Sequence, residues 1–129
     1  MPASERRVTP RIAVKHMTVL YHPLFDPRDV LHAQPQHKAV AVDLSEKGLR
    51  IVTGMPLDPG VSLSINLRIP ALNQEIRLRG TVVRCVEIPQ KAGTEPGFAL
   101  GISVTRSGTD FHDFLQRMQM DHRLRLGGV

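Results

Sequence analysis

Two clusters in this sequence combine residue types that could do chemistry. The first is Asp43-Leu44-Ser45-Glu46-Lys47-Gly48. Asp43 and Ser45 alternate along the chain, so if both stay extended at a strand end they project to the same side. A carboxylate beside a hydroxyl is then a small polar grip that accepts from N–H donors, and the hydroxyl also donates. The same residues can instead bond only the local backbone, as Asx and Ser turns do. On the hexapeptide alone that self-satisfied turn is the commoner outcome. Gly48 fits either reading, because a tight turn uses glycine where a Cβ would be opposed. The second cluster is Arg6-Arg7 with Arg11. The spacing of Arg7 and Arg11 would align them on a helix, but Pro10 between them disfavours one. In a curled loop they converge on one anion; otherwise they belong to a solvated basic tail.

Little else in the chain points to chemistry. His16, His22, His32, His37, His112 and His122 show no paired metal spacing. His22, His32 and His37 share a proline-rich connection where a metal site is conceivable, although scattered surface histidines are the commoner case. There is no P-loop, no G-x-G-x-x-G and no G-x-S-x-G elbow, and the acidic residues sit on turns and strand ends, so an enzyme is not expected. The single Cys85 cannot form an intrachain disulfide and falls in an apolar run, as a small core residue does.

The elements that must position the two clusters follow from length and periodicity. A chain of 129 residues suits one domain. No apolar run approaches the roughly 20 residues that span a bilayer, and the N-terminus lacks the apolar core of a signal peptide. A cytoplasmic protein without membrane insertion is expected. The net charge of +5 favours a polyanionic partner. Aromatic content of 4%, with no Trp, argues against a stacking platform for single-stranded nucleic acid.

Strands are expected at 12–21, 37–44, 47–53, 61–69, 74–88 and 98–104. The clearest is Val61, Leu63, Ile65, Leu67 and Ile69 on one face against Ser62, Ser64, Asn66 and Arg68 on the other. Residues 22–36, with three prolines, read as a long connection, and Pro89 to Pro96 as a loop. Asp58-Pro59-Gly60 and Pro70-Ala71-Leu72-Asn73 read as turns. Gly80 is a candidate bulge or bend. Phe111, Phe114, Leu115 and Met118 recur at helical spacing, with Ser107 or Thr109 as candidate caps. The fold class is therefore all-β with a C-terminal helix, a small antiparallel barrel with the helix over one opening or side. The divisions are a flexible arm at 1–11, a barrel at 12–106, a helix at 107–122 and a flexible tail at 123–129.

Taken together, Arg7-x-x-x-Arg11, a strand, and Asp43-x-Ser45-x-x-Gly48 at a strand-to-strand turn resemble the signature of the PilZ domain. That family is a six-stranded barrel that binds the bacterial second messenger cyclic di-GMP. The resemblance runs over roughly residues 5–118. It includes Pro59-Gly60, Gly80-Thr81-Val82-Val83-Arg84 and Phe98-Ala99-Leu100-Gly101-Ile102, followed by a helix. It implies that Arg7 and Arg11 bind phosphate and guanine edges, that Asp43 accepts from guanine N1–H and N2–H, and that Ser45 adds a polar contact. It implies that Gly48 is a turn residue leaving room for the ligand, and that Arg6 goes with binding a self-stacked ligand pair. The connection at 22–36 is longer than the family pattern. The expected protein is a stand-alone cyclic di-GMP receptor without a cofactor, signalling through a protein partner in motility, surface attachment or exopolysaccharide control. Its alternative is a nucleotide-independent interaction module on the same barrel. DNA is not an expected partner. Asp43 and Ser45 should open to solvent on the side that the arm can reach.

Overall fold

The alternating segments form strands because each buries one face and wets the other. The structure, a computed structural model, describes residues 11–24, 37–69, 73–89 and 97–120. The strands are β1 (Ile12–Leu24), β2 (His37–Leu44), β3 (Gly48–Thr53), β4 (Ser62–Ile69), β5 (Gln74–Ile88) and β6 (Gly97–Ser107), followed by helix α1 (Thr109–Met120). The six strands close into an antiparallel barrel in the order β1-β2-β3-β6-β5-β4. On β4, Leu63, Ile65, Leu67 and Ile69 are buried inside it, as their period predicts.

Two turns are explained by single residues. Gly60 has φ 98°, and the Val61 N–H donates to the Asp58 carbonyl at 3.2 Å, closing the Asp58–Val61 reversal. Asn73, at φ 49°, occupies the left-handed region just before β5. The ladder between β5 and β6 shifts register there: Arg79 faces Arg106 but Gly80 faces Val104, so the extra residue is Thr105 of β6 and Gly80 stands opposite the bulge.

β1 runs past its expected end at Tyr21, through Pro23 to Leu24. Its pairing with β2 stops at Tyr21↔His37, while pairing with β4 continues to Leu24↔Ser62. Beyond Tyr21, β1 therefore has β4 on one side only among the described residues, and a proline is tolerated where one side needs no ladder donor.

Inside the barrel the Tyr21 hydroxyl shares a 2.7 Å hydrogen bond with Thr53, and both residues are buried. Burial raises the Tyr21 phenol above its ordinary value, and the Thr53 bond opposes that rise. α1 packs Phe111, Phe114, Leu115 and Met118 inward. Fully burying each is worth about 1.5–3 kcal/mol. At its start the Phe111 N–H donates to the Asp110 carboxylate at 2.8 Å, so Asp110 supplies the side-chain acceptor there. None of the described helices is long and apolar enough to cross a membrane. Cys85 is half-buried against the core.

Candidate ligand-binding site

A one-residue irregularity creates the site. Strict alternation along β2 would place Asp43 on the inward face with Ala39 and Ala41, which are both buried core residues. The β2–β3 register instead jumps between Ala41 and Asp43: Ala41 pairs with Ile51, but Asp43 pairs with Arg50 and Leu44 with Leu49. The extra residue is Val42. A slip of one flips every later side chain to the other face. Asp43 thus leaves the core face and stands beside Arg50, while Leu44 takes the inward position.

Two guanidiniums cover the Asp43 carboxylate. Arg11 Nη1 donates to Oδ1 at 2.8 Å, and Arg50 Nη2 lies 2.9 Å from Oδ2. β1 brings Arg11 there because Ala13 pairs with Asp43 across the β1–β2 ladder. The expected openness of Asp43 is corrected accordingly. Its side chain is only 10% exposed, against 65% for Arg11 and 53% for Arg50. What buries it is a pair of cations, Arg11 just before β1 and Arg50 on β3, not the core.

Ser45 behaves differently. The chain turns after Leu44, so Asp43 and Ser45 do not continue as one extended run. The Gly48 N–H donates to Ser45 Oγ at 3.1 Å, Ser45 Oγ donates to the Gly48 carbonyl at 3.1 Å, and the Ser45 N–H donates to the same carbonyl at 2.8 Å. Ser45 is 6% exposed. Its hydroxyl is satisfied within the turn, and the expectation that it opens to solvent does not hold here. Gly48 is required for a reason other than an unusual φ. A Cβ there would lie 2.7 Å from the Ile102 carbonyl oxygen of β6. The missing side chain makes room for the neighbouring strand.

The turn is also tied outward. The Val104 N–H of β6 donates to the Lys47 carbonyl at 2.8 Å, and the Glu46 carboxylate meets His112 Nδ1 on α1. Beside the Arg11–Asp43–Arg50 bridge an open groove of about 570 Å³ runs over β3, β6 and β5. Ala99 and Gly101 line it along β6, Val83 and Val86 stand exposed along it, and Arg84 adds another cation. Sequence reasoning missed Arg50 and Arg84. Arg50 was within reach: a hairpin closed at 45–48 that pairs Leu44 with Leu49 pairs Asp43 with Arg50. Arg84 follows a register shift between Val82 and Arg84 that no local pattern marks. Arg6 and Arg7 lie outside the described residues, as does most of the 22–36 connection.

No curated protein matches the chain significantly. Among solved structures, it is similar to the PilZ domain of YcgR from Escherichia coli, solved with cyclic di-GMP. There the TM-score is 0.65 and the identity 15%, covering 88% of each chain. It is also similar to the inhibitor of motility MotI/DgrA from Bacillus subtilis, at TM-score 0.64 and 17% identity. That match covers 93% of this chain and 56% of MotI, so the chain spans about half of that protein. The PilZ domain family model matches residues 5–116, most of the sequence, and the chain therefore belongs to the PilZ domain family.

Proposed function

We propose that this chain is a receptor for cyclic di-GMP, acting in the cytoplasm and signalling through a protein partner in motility, surface attachment or exopolysaccharide control. The observation that carries this reading is the Arg11–Asp43–Arg50 bridge at the side of an open groove. It holds together the two chemistries that a cyclic dinucleotide of guanine needs. Guanidinium forks take phosphate oxygens or guanine O6 and N7. The Asp43 carboxylate accepts from guanine N1–H and N2–H. PilZ domains are receptor and adaptor modules, which agrees with a site built for recognition.

Binding is an exchange. Without ligand, Asp43 and the two arginines satisfy one another. The ligand offers phosphates to the arginines and N–H donors to the carboxylate, so each group that is released finds a replacement. The two guanidiniums are more than half exposed, so water as well as ligand can take them up when the bridge opens, and the ligand's N–H donors replace them on the carboxylate. Arg7 joins Arg11 from the arm, and Arg6 favours a self-stacked ligand pair. Ser45 and Gly48 hold the turn that presents Asp43. Movement of that turn reaches α1 through Glu46 and His112, which gives the bound state a different surface to show a partner.

Titration calorimetry of the wild type and Arg11→Ala with cyclic di-GMP tests this. A charge-assisted contact is worth about 1.5–3 kcal/mol, so the variant should bind roughly 10–150-fold more weakly. A wild type that gives neither heat nor a thermal shift at roughly 50 μM ligand would overturn the receptor reading.

A further inference from the structure

A second cationic face lies further round the barrel and shares no lining residue with the first groove. It is a recess of about 490 Å³ whose lining includes Ser64, Arg77, Arg79 and Arg106, closed by Ser107 and Gly108 where α1 begins. The strand register assembles it. Arg79 pairs across β5–β6 with Arg106 and across β4–β5 with Ser64, while Arg77 pairs with Asn66. All three arginines are exposed. The bulge beside Gly80 fixes where Arg79 stands. A Cβ on Gly80 would lie 2.5 Å from Ile102 Cγ2 and 2.8 Å from the Ser103 carbonyl, so β5 and β6 approach closely there.

The neighbouring ladder positions show what an ordinary solution looks like. Arg68 on β4 faces Glu75 on β5, and the two form an ion pair at 3.3 Å. Among the described residues no carboxylate forms an ion pair with Arg77, Arg79 or Arg106. Asp110, the acidic residue of the first turn of α1, turns one carboxylate oxygen to the Phe111 N–H. Like charges directly opposite on adjacent strands destabilise a sheet. Arg79 opposite Arg106 is therefore a cost that folding does not require.

We propose that this face docks a carboxylate-rich segment of a partner protein. Guanidinium forks pair with carboxylates in two-point contacts, and the recess presents three of them with serine hydroxyls beside them. The patch is short: the same outward face continues into Asn66 and then the Arg68–Glu75 pair in one direction, and Thr81 and Ser62 in the other. A nucleic acid calls for a longer basic track or stacking rings, and no aromatic residue lines the recess. An acidic peptide a few residues long matches the footprint. The inference does not depend on the cyclic di-GMP reading.

The test is fluorescence anisotropy of the full chain with a fluorescein-labelled hexaglutamate peptide at low salt, alongside thermal unfolding. The wild type should bind, added salt should weaken binding, and Arg106→Glu and Arg79→Glu should each weaken it at least tenfold (about 1.4 kcal/mol). Lys38→Glu, the same charge change elsewhere on the barrel, should leave it within about twofold. Arg106→Glu should also raise Tm, by about 1–3 °C, since it turns a repulsive cross-strand pair into an attractive one. A peptide that does not bind, or that binds the wild type and both Glu variants equally, overturns the proposal. So does a lowered Tm for Arg106→Glu, which would make the arginines structural. A DNA duplex that displaces the peptide and depends more strongly on the same arginines overturns it in favour of nucleic acid.

Discussion

The two ends of the Asp43–Gly48 segment solve opposite problems. Asp43 turns away from its own turn and spends both carboxylate oxygens on Arg11 and Arg50, contributed by other strands or their approaches. Ser45 and Gly48 turn inward, exchanging hydrogen bonds with each other and fitting against β6. One end holds a carboxylate between two cations, which the proposed receptor reading gives to the ligand. The other holds the backbone that presents that charge. A motif of this kind is half chemistry and half architecture, and the halves should separate when stability and affinity are measured on the same variants.

The architectural end should show the largest effect. Gly48→Val drives a branched side chain at the Ile102 carbonyl, so β3 and β6 must part. Overpacking of this kind costs about 1–3 kcal/mol or more, and thermal unfolding should show Tm falling by several degrees. The comparison breaks if the variant melts like the wild type. Arg11→Ala should do the reverse. Its loss in cyclic di-GMP affinity should come with only a small change in Tm, because Asp43 keeps Arg50 on Oδ2 and Arg11 is itself 65% exposed. Asp43→Ala should act on base choice: the preference for cyclic di-GMP over cyclic di-AMP should shrink, read as the ratio of the two dissociation constants. Equal losses for both ligands would remove Asp43 from guanine recognition.

Ser45→Ala comes next. It deletes both side-chain bonds to Gly48 while leaving the Ser45 N–H to Gly48 carbonyl bond. A loss of about 0.5–1.5 kcal/mol in chemical unfolding is expected. Its affinity for ligand, measured on the folded fraction, should stay within about threefold (under roughly 0.7 kcal/mol). A larger affinity loss would place Ser45 on the chemical side of the motif.

The sequence revealed the parts whose signal is periodic or steric. The β4 alternation, the stripe Phe111, Phe114, Leu115 and Met118 and the Pro59-Gly60 reversal could each be seen from local residue types, and Gly80 marked the place of an irregularity whose extra residue is Thr105 on β6. The bulge at Val42 could not. Valine fits a regular strand as well as a bulge, and only pairing with β3 reveals the slip. Two other features were hidden with it: the chain turns after Leu44, which parts Ser45 from Asp43, and Arg11 and Arg50 converge on the Asp43 carboxylate and cover it. The extension of β1 through Pro23 was hidden for a related reason: whether a proline ends a strand depends on which neighbours are present. Arg50 reads on β3 alone as an ordinary outward residue, and it was within reach only by counting the hairpin register back from the turn to Asp43.

Arg50→Ala carries the smallest expected effect and the sharpest distinction. On the receptor reading proposed above, Arg50 acts on the ligand in two opposed ways. Its charge attracts a dianionic dinucleotide over a distance, and its contact with Oδ2 competes for the carboxylate that guanine needs. The first action is screened by salt over about 8–10 Å at ordinary ionic strength and about 3 Å at 1 M. The second is a direct contact and is screened less. Removing Arg50 should therefore weaken binding at low salt by a fewfold. At about 1 M salt, where the long-range attraction is largely gone, the variant should bind as tightly as the wild type or slightly more tightly. A deficit that persists undiminished at high salt would mean that Arg50 contacts the bound ligand directly. The chemical end of the motif would then comprise Asp43 with two ligand-binding arginines, and Arg50 would not be a competitor that must yield.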